Sequence, residues 1–316
     1  MIAEWLQREP FLLLDGALAT EIEKRGYSIS DPLWSAVALY RFPEVIQSIH
    51  LSYLRAGSEI ITAASYQATV EGFMKKGFSK KTSIGLMKKA IELADMARQT
   101  YRLESGENRP VAVAASIGPY GAYLADGSEY KGHYGKSREE LAHFHRERMH
   151  LLWDSHPDLL ACETIPCLLE AEAIGDILPE LSNVEAWISF SCRDGHHTCS
   201  GDWIRDCAAA LQSVSGVGAI GVNCTNPLYI ESLIRDIRKE TDIPVIVYPN
   251  SGEVYDGVKK CWTGHPVDFS SYGATWLEAG ARLIGGCCRT GPFQIQRLAA
   301  LKSRDRLTDS RNHSIS

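Results

Sequence analysis

Eight short, nearly continuous apolar runs recur along the chain and constrain its fold more than any other feature. They are Phe11–Asp15, Glu59–Ser65, Val111–Ser116, Asp158–Glu163, Glu185–Ser191, Val217–Cys224, Pro244–Asn250 and Ala281–Cys288. A strand with one wet face alternates apolar and polar residues. A run that stays apolar needs cover on both faces, which is the condition inside a parallel sheet. Asp158–Glu163 is the least strand-like of the set. Helical patterns lie between the runs. Pro43 opens one that stops at Gly57, Ser137 with Glu140 has capping-box spacing, Asn226–Pro227 reads as an N-cap followed by the first helical residue, and Pro292 begins the last. Strand and helix alternate eight times with no linker-like break in composition. This pattern predicts one closed (β/α)8 barrel of TIM type over residues 1–301, followed by a polar tail at 302–316.

Charge and end composition narrow the function classes. The net charge of −6 comes with no basic stripe, which argues against nucleic-acid binding. No apolar run reaches membrane-spanning length, and the first residues lack the basic start and apolar core of a secretory leader. The expectation is a cytoplasmic protein. In that reducing setting the nine cysteines do not form a disulfide framework. Cys162, Cys167, Cys192, Cys199, Cys207 and Cys261 read as small buried hydrophobes.

The remaining three cysteines stand where a barrel does its chemistry. Active sites of this architecture lie at the C-terminal ends of the strands, and the eight expected ends are Asp15, Ser65, Ser116, Glu163, Ser191, Cys224, Asn250 and the pair Cys287–Cys288. Adjacent residues of a regular strand face opposite ways, so Cys287 and Cys288 converge only if the chain leaves β geometry; Gly285 and Gly286 offer that freedom. Three thiolates at one point need a cation, and soft sulfur in tetrahedral geometry suits Zn²⁺ with an open fourth position. The residues leave two readings open: an open zinc site, or packing cysteines with an oxidisable vicinal pair.

An open zinc on three thiolates carries a formal charge of −1 and is a poor activator of water. It suits a further thiol, which loses its proton on binding and stays nucleophilic toward a carbon on a cationic leaving group. The expected reaction is thiol alkylation. A barrel metal hydrolase would instead want histidine or carboxylate ligands and an acid–base partner. A redox-sensing binding protein would need only the vicinal pair.

The stretches "LLLDGALATE", "CET", "IGVNC" and "IGGCC", spread from Phe11 to Leu301, resemble the homocysteine S-methyltransferases. The resemblance implies a zinc-bearing barrel that methylates homocysteine to methionine, with Cys224, Cys287 and Cys288 as metal ligands and catalytic residues. It further implies that Asp15 and Glu163 hold the substrate ammonium, and that the backbone at Gly16 and Ala17 faces its carboxylate. Asn223 either orders the ligand loop or touches substrate, and Ser65 and Ser116 are rim candidates. No further domain is expected after the barrel, so the chain is similar to the stand-alone members that use S-methylmethionine or S-adenosylmethionine; a betaine donor is the alternative.

Three loops are expected around the mouth. Ser116–Gly135, rich in glycine and tyrosine, reads as a lid whose Tyr120, Tyr123, Tyr130 and Tyr134 offer π faces to a sulfonium. Ser30–Ala36 and Pro249–Asp256 complete the rim, with Trp262 as a further candidate. His196 and His197 read as a solvated loop, and His143, His145 and His150 as surface residues of one helix. No phosphate-binding glycine fingerprint follows the first strand.

Overall fold

A computed structural model of the 316-residue chain describes residues 1–31, 33–106, 109–256 and 261–312, with side chains outside 254–256, 261–262 and 303–312. Each apolar run contains a strand: β1 (Leu12–Leu13), β2 (Ile60–Thr62), β3 (Ala112–Ile117), β4 (Leu159–Ile165), β5 (Ala186–Phe190), β6 (Val217–Asn223), β7 (Val245–Tyr248) and β10 (Ala281–Ile284). All are parallel, in the order β1-β10-β7-β6-β5-β4-β3-β2. A parallel bridge between Leu14 and Ile60 joins the two ends of that order and closes the barrel. The run that looked least strand-like, Asp158–Glu163, begins the seven-residue β4, which continues to Ile165, because burial on both faces outweighs intrinsic propensity. A separate antiparallel hairpin, β8 (Val254–Asp256) with β9 (Cys261–Thr263), stands beyond β7.

Two apolar layers follow from the two-residue period of the strands. Leu12, Leu14, Ile60, Ala112, Ala114, Leu159, Ala161, Trp187, Ala219, Ile246 and Leu283 fill the barrel interior, while the alternate residues pack outward against the helices. Ile2, on a one-turn helix Ile2–Trp5, joins the interior set, and its N–H donates to Glu185. The N-terminal segment therefore plugs the bottom of the barrel. The interior is close-packed: a Cβ at Gly221 of β6 would lie 1.7 Å from the Ile246 carbonyl oxygen of β7.

The four expected helices are present. Pro43–Ala56 ends at Gly57 in left-handed geometry, and Arg138–Trp153 has the Ser137–Glu140 capping box with both bonds made. Asn226 caps a 3₁₀ turn at Pro227–Tyr229 that leads into Ile230–Arg238. The last helix runs Pro292–Asn312, so helical backbone continues past residue 301 into the segment read as a tail. The longest helix, Lys80–Ser105, starts at a Ser79 cap and stops at Gly106 in left-handed geometry. Among the described residues no helix is long and apolar enough to cross a membrane.

Candidate metal centre

At the C-terminal mouth of the barrel the strands stop and three of them turn sharply. Thr164, Cys224 and Arg289 follow or end β4, β6 and the β10 extension, and all three have positive φ (61°, 49° and 67°), rare for residues with side chains and commonest at functional sites. The turn at Cys224 breaks the alternation of β6. Asn223 continues the inward-facing set, and the Cys224 sulfur still reaches the mouth.

The sulfurs of Cys224, Cys287 and Cys288 all lie within 4.8 Å of one another, with Cys224 and Cys288 at 3.6 Å. That is far too long for a disulfide, whereas two sulfurs on one tetrahedral zinc at ~2.3 Å sit roughly 3.8 Å apart. Contacts among the sulfurs, together with burial, hold all three thiols above the usual cysteine range. A cation between them would reverse that bias. The donor set therefore fits a thiophilic metal ion. No other group of three histidine, cysteine or carboxylate ligands converges among the described residues.

The cysteine loop is held from several sides. The Cys287 N–H donates to the Pro249 carbonyl at 2.7 Å, the Ser251 N–H to the Cys288 carbonyl at 3.0 Å, and Thr290 returns to the Cys287 carbonyl through both its N–H and its hydroxyl. Arg289 reaches Glu253 at 3.1 Å. The expected rim stretch after β7 is thus splinted to the cysteines as far as Glu253; the side chains of 254–256 and Trp262 lie outside the described residues. Gly285 and Gly286 act differently from the expectation. Neither has positive φ; both allow close approach. A Cβ at Gly285 would lie 2.7 Å from the Leu14 Cβ, and one at Gly286 2.3 Å from the Thr290 hydroxyl. The Gly286 N–H donates to the Asp15 carbonyl, so the glycines draw the end of β1 against the cysteines.

Asp15 and Glu163 are both buried at this mouth. Asp15 accepts the Thr62 N–H at 2.8 Å and its hydroxyl at 3.0 Å, and Glu163 accepts the Ser116 hydroxyl. These partners are neutral, and among the described residues neither carboxylate forms an ion pair. Burial pushes the Asp15 carboxyl up to about 8, the nearby Glu163 charge adding to it, and burial likewise raises Glu163. Folded Asp15 thus keeps its proton to about pH 8, whereas in the unfolded chain it ionises near the 3.8 of a free carboxyl. The folded state binds the extra proton between these values, so its stability falls as pH rises from about 4 to 8. The ligand-free Asp15→Asn variant is expected to lack this slope and to melt several degrees above wild type at pH 8, with little difference near pH 4. Thermal denaturation across that range checks it; parallel curves for the two proteins would refute it.

Asn223 is engaged by the protein itself. It is fully buried, its Oδ1 accepts the Thr164 N–H and the Ser189 hydroxyl, and its Nδ2 donates to the Thr164 hydroxyl and faces the Cys287 sulfur at 3.9 Å. The Ser65 hydroxyl donates to the Ser116 carbonyl and ties β2 to β3. Of the two expected backbone donors, the Ala17 N–H is committed to the Thr290 carbonyl, whereas the Gly16 N–H has no partner among the described residues.

Of the four loop tyrosines, only Tyr130 reaches the cysteines, its hydroxyl 3.3 Å from the Cys224 sulfur. Tyr120, Tyr123 and Tyr134 instead form an aromatic cluster with Phe144 on the outer side, and Lys75 caps Tyr123. On the Ser30–Ala36 stretch Trp34 meets Tyr66 edge-on. His145 corrects an expectation: it is fully buried and pairs with Glu170 at 2.8 Å, and Glu170 also accepts the Tyr120 N–H. This pair anchors the loop base. His196 and His197 pair with Asp236 and Asp194. Cys162, Cys167, Cys192 and Cys207 are buried as expected, Cys199 is half-exposed, and the Cys261 side chain lies outside the described residues.

The homocysteine S-methyltransferase family matches residues 12–301. Homocysteine S-methyltransferase YbgG of Bacillus subtilis is 50% identical over 301 residues, 93% of this chain and 95% of that protein. Homocysteine S-methyltransferase 2 of Zea mays is 50% identical over 299 residues, 91% of this chain and 88% of that one. The crystal structure of the homocysteine methyltransferase MmuM from Escherichia coli, metallated form, superposes with a TM-score of 0.86 at 43% identity, covering 94% of this chain and 98% of that one.

Proposed function

The chain belongs to the homocysteine S-methyltransferase family, and on that premise we propose that it methylates the homocysteine thiol to methionine from a sulfonium donor, S-methylmethionine or S-adenosylmethionine, with zinc held by Cys224, Cys287 and Cys288. The observation that carries the reading is the convergence of three thiols within 4.8 Å beside two buried carboxylates that lack a cation. The metallated form of the E. coli relative supports a metal on this donor set. Zinc, when bound, supplies a Lewis-acid position that takes homocysteine sulfur as a thiolate at neutral pH and leaves it nucleophilic toward a sulfonium methyl group.

The chain then has three tasks. Asp15 and Glu163 take the homocysteine ammonium, whose charge offsets the burial that raises both acids. The Gly16 N–H is free to meet the substrate carboxylate. Asn223 and Thr290 fix the ligand loop, so that donor and acceptor sulfur meet in line without reorganisation. Tyr130, roofing Cys224, keeps water from the reacting sulfur, and a dry site favours a step in which cation and thiolate neutralise each other. A cytoplasmic setting, which keeps thiols reduced, suits the ligand set.

The test is to supply homocysteine with S-methylmethionine, S-adenosylmethionine or betaine in turn and to measure methionine and bound metal. Methionine from the sulfonium donors by zinc-loaded protein is expected. Full activity of reduced, metal-free protein would overturn the reading. Asp15→Asn is expected to raise the homocysteine KM roughly 10- to 100-fold, the range for losing a charged hydrogen bond, with metal content unchanged. Equal losses of substrate and metal affinity would make Asp15 a structural residue instead.

A further inference from the structure

A third carboxylate near the mouth is not among the groups assigned to the acceptor above. Glu129 lies on the 3₁₀ turn Ser128–Tyr130 of the loop after β3, next to the tyrosine whose hydroxyl is 3.3 Å from the Cys224 sulfur. Its backbone is clamped: a Cβ at Gly121 would lie 2.3 Å from the Glu129 nitrogen, so only glycine lets the loop helix Tyr120–Leu124 pack so closely. The side chain is half-buried and, among the described residues, makes no hydrogen bond or ion pair. Burial, then the Asp126 charge, push its carboxyl up to about 7. Its field reaches the cysteine site: burial and then the Glu129 charge raise the Tyr66 hydroxyl, and Glu129 adds to the effect of Cys224 and burial on Cys288.

Asp15 and Glu163, at the ends of β1 and β4, suffice for one ammonium. A half-buried carboxylate without a cation costs stability unless a ligand supplies the charge. The acceptor amino acid brings one cation, already matched; a sulfonium donor brings at least one more. We propose that Glu129 recognises the positive charge of the methyl donor and so sets donor affinity, with no part in holding homocysteine or metal. The inference rests on the sulfonium-donor reading above. In this scheme the loop after β3 faces the donor and the barrel strands face the acceptor.

The experiment is steady-state kinetics of zinc-loaded wild type, Glu129→Gln and Glu129→Asp, with homocysteine and S-methylmethionine varied separately, alongside metal content and melting temperature. Glu129→Gln is expected to raise the donor KM about tenfold or more, with homocysteine KM and metal content near wild type and a melting temperature at or above it. Glu129→Asp should recover part of the loss. An unchanged donor KM in a folded, zinc-loaded Gln variant would overturn the assignment, as would an equal rise in both KM values. Should the Gln variant melt early, the Asp variant decides: its charge retained, a donor KM close to wild type supports the proposal, and a donor KM as high as that of Gln refutes it. Wild-type protein that makes no methionine from S-methylmethionine would instead sink the donor reading itself, an outcome separate from an unaffected variant.

Discussion

Cys224→Ala protein is expected to make methionine at a thousandth of the wild-type rate or less, about 4 kcal/mol or more of lost barrier reduction, and to lose stoichiometric zinc. The reason is geometric. The Cys224 sulfur stands 3.6 Å from that of Cys288, and the left-handed turn at Cys224 is what brings it there. With it gone, two adjacent thiols remain, both from one loop, and no other group of three cysteine, histidine or carboxylate ligands converges among the described residues. Bound metal measured by elemental analysis, with melting temperature as a control for folding, separates loss of the ion from loss of the fold. Near-normal turnover by this variant would defeat the ligand assignment.

Gly221→Ala is expected to destabilise the protein by about 3 kcal/mol or more, at the upper end for an overpacked core, and to leave little soluble protein. Its added Cβ would sit 1.7 Å from the Ile246 carbonyl oxygen. That atom is strand backbone and cannot swing aside, and Gly221 pairs in register with Ile246 in the barrel wall. Relief requires β6 and β7 to part, and β6 runs straight into Asn223 and Cys224. Any variant that folds should therefore also lose metal. Denaturant unfolding with metal analysis tests it; a soluble protein of wild-type stability would show that the wall can widen locally.

Strand positions were legible because double-sided burial writes itself as uninterrupted apolar runs, and every run from Phe11 to Cys288 contains its strand. The helix at Lys80–Ser105 was passed over although its Ser79 cap and Gly106 stop stand in the sequence. The convergence of Cys224, Cys287 and Cys288 could be anticipated from strand ends and a specific resemblance. The function of Gly285 and Gly286 could not: spacing suggested bending, whereas the requirement is room for Leu14 and Thr290, contacts some 270 residues away in one case and just across the turn in the other. Tyr130 was one of four equivalent tyrosines until packing separated it from the Phe144 cluster. His145 looked solvent-facing because its partner, Glu170, belongs to a different helix.

The pairing of Leu12–Leu13 with Leu283–Ile284 has a consequence for biogenesis. It joins the earliest and latest strands across nearly the whole chain, the kind of contact that forms slowly and only after much intervening chain has collapsed. Cys287 and Cys288 lie just beyond this seam, and Asp15 just beyond its other side. A chain emerging from the ribosome therefore carries Cys224 for more than sixty residues before its partners are synthesised. Metal capture would then wait for the finished protein, and the ion, once seated, would act as a rivet between the end of β6 and the loop after β10.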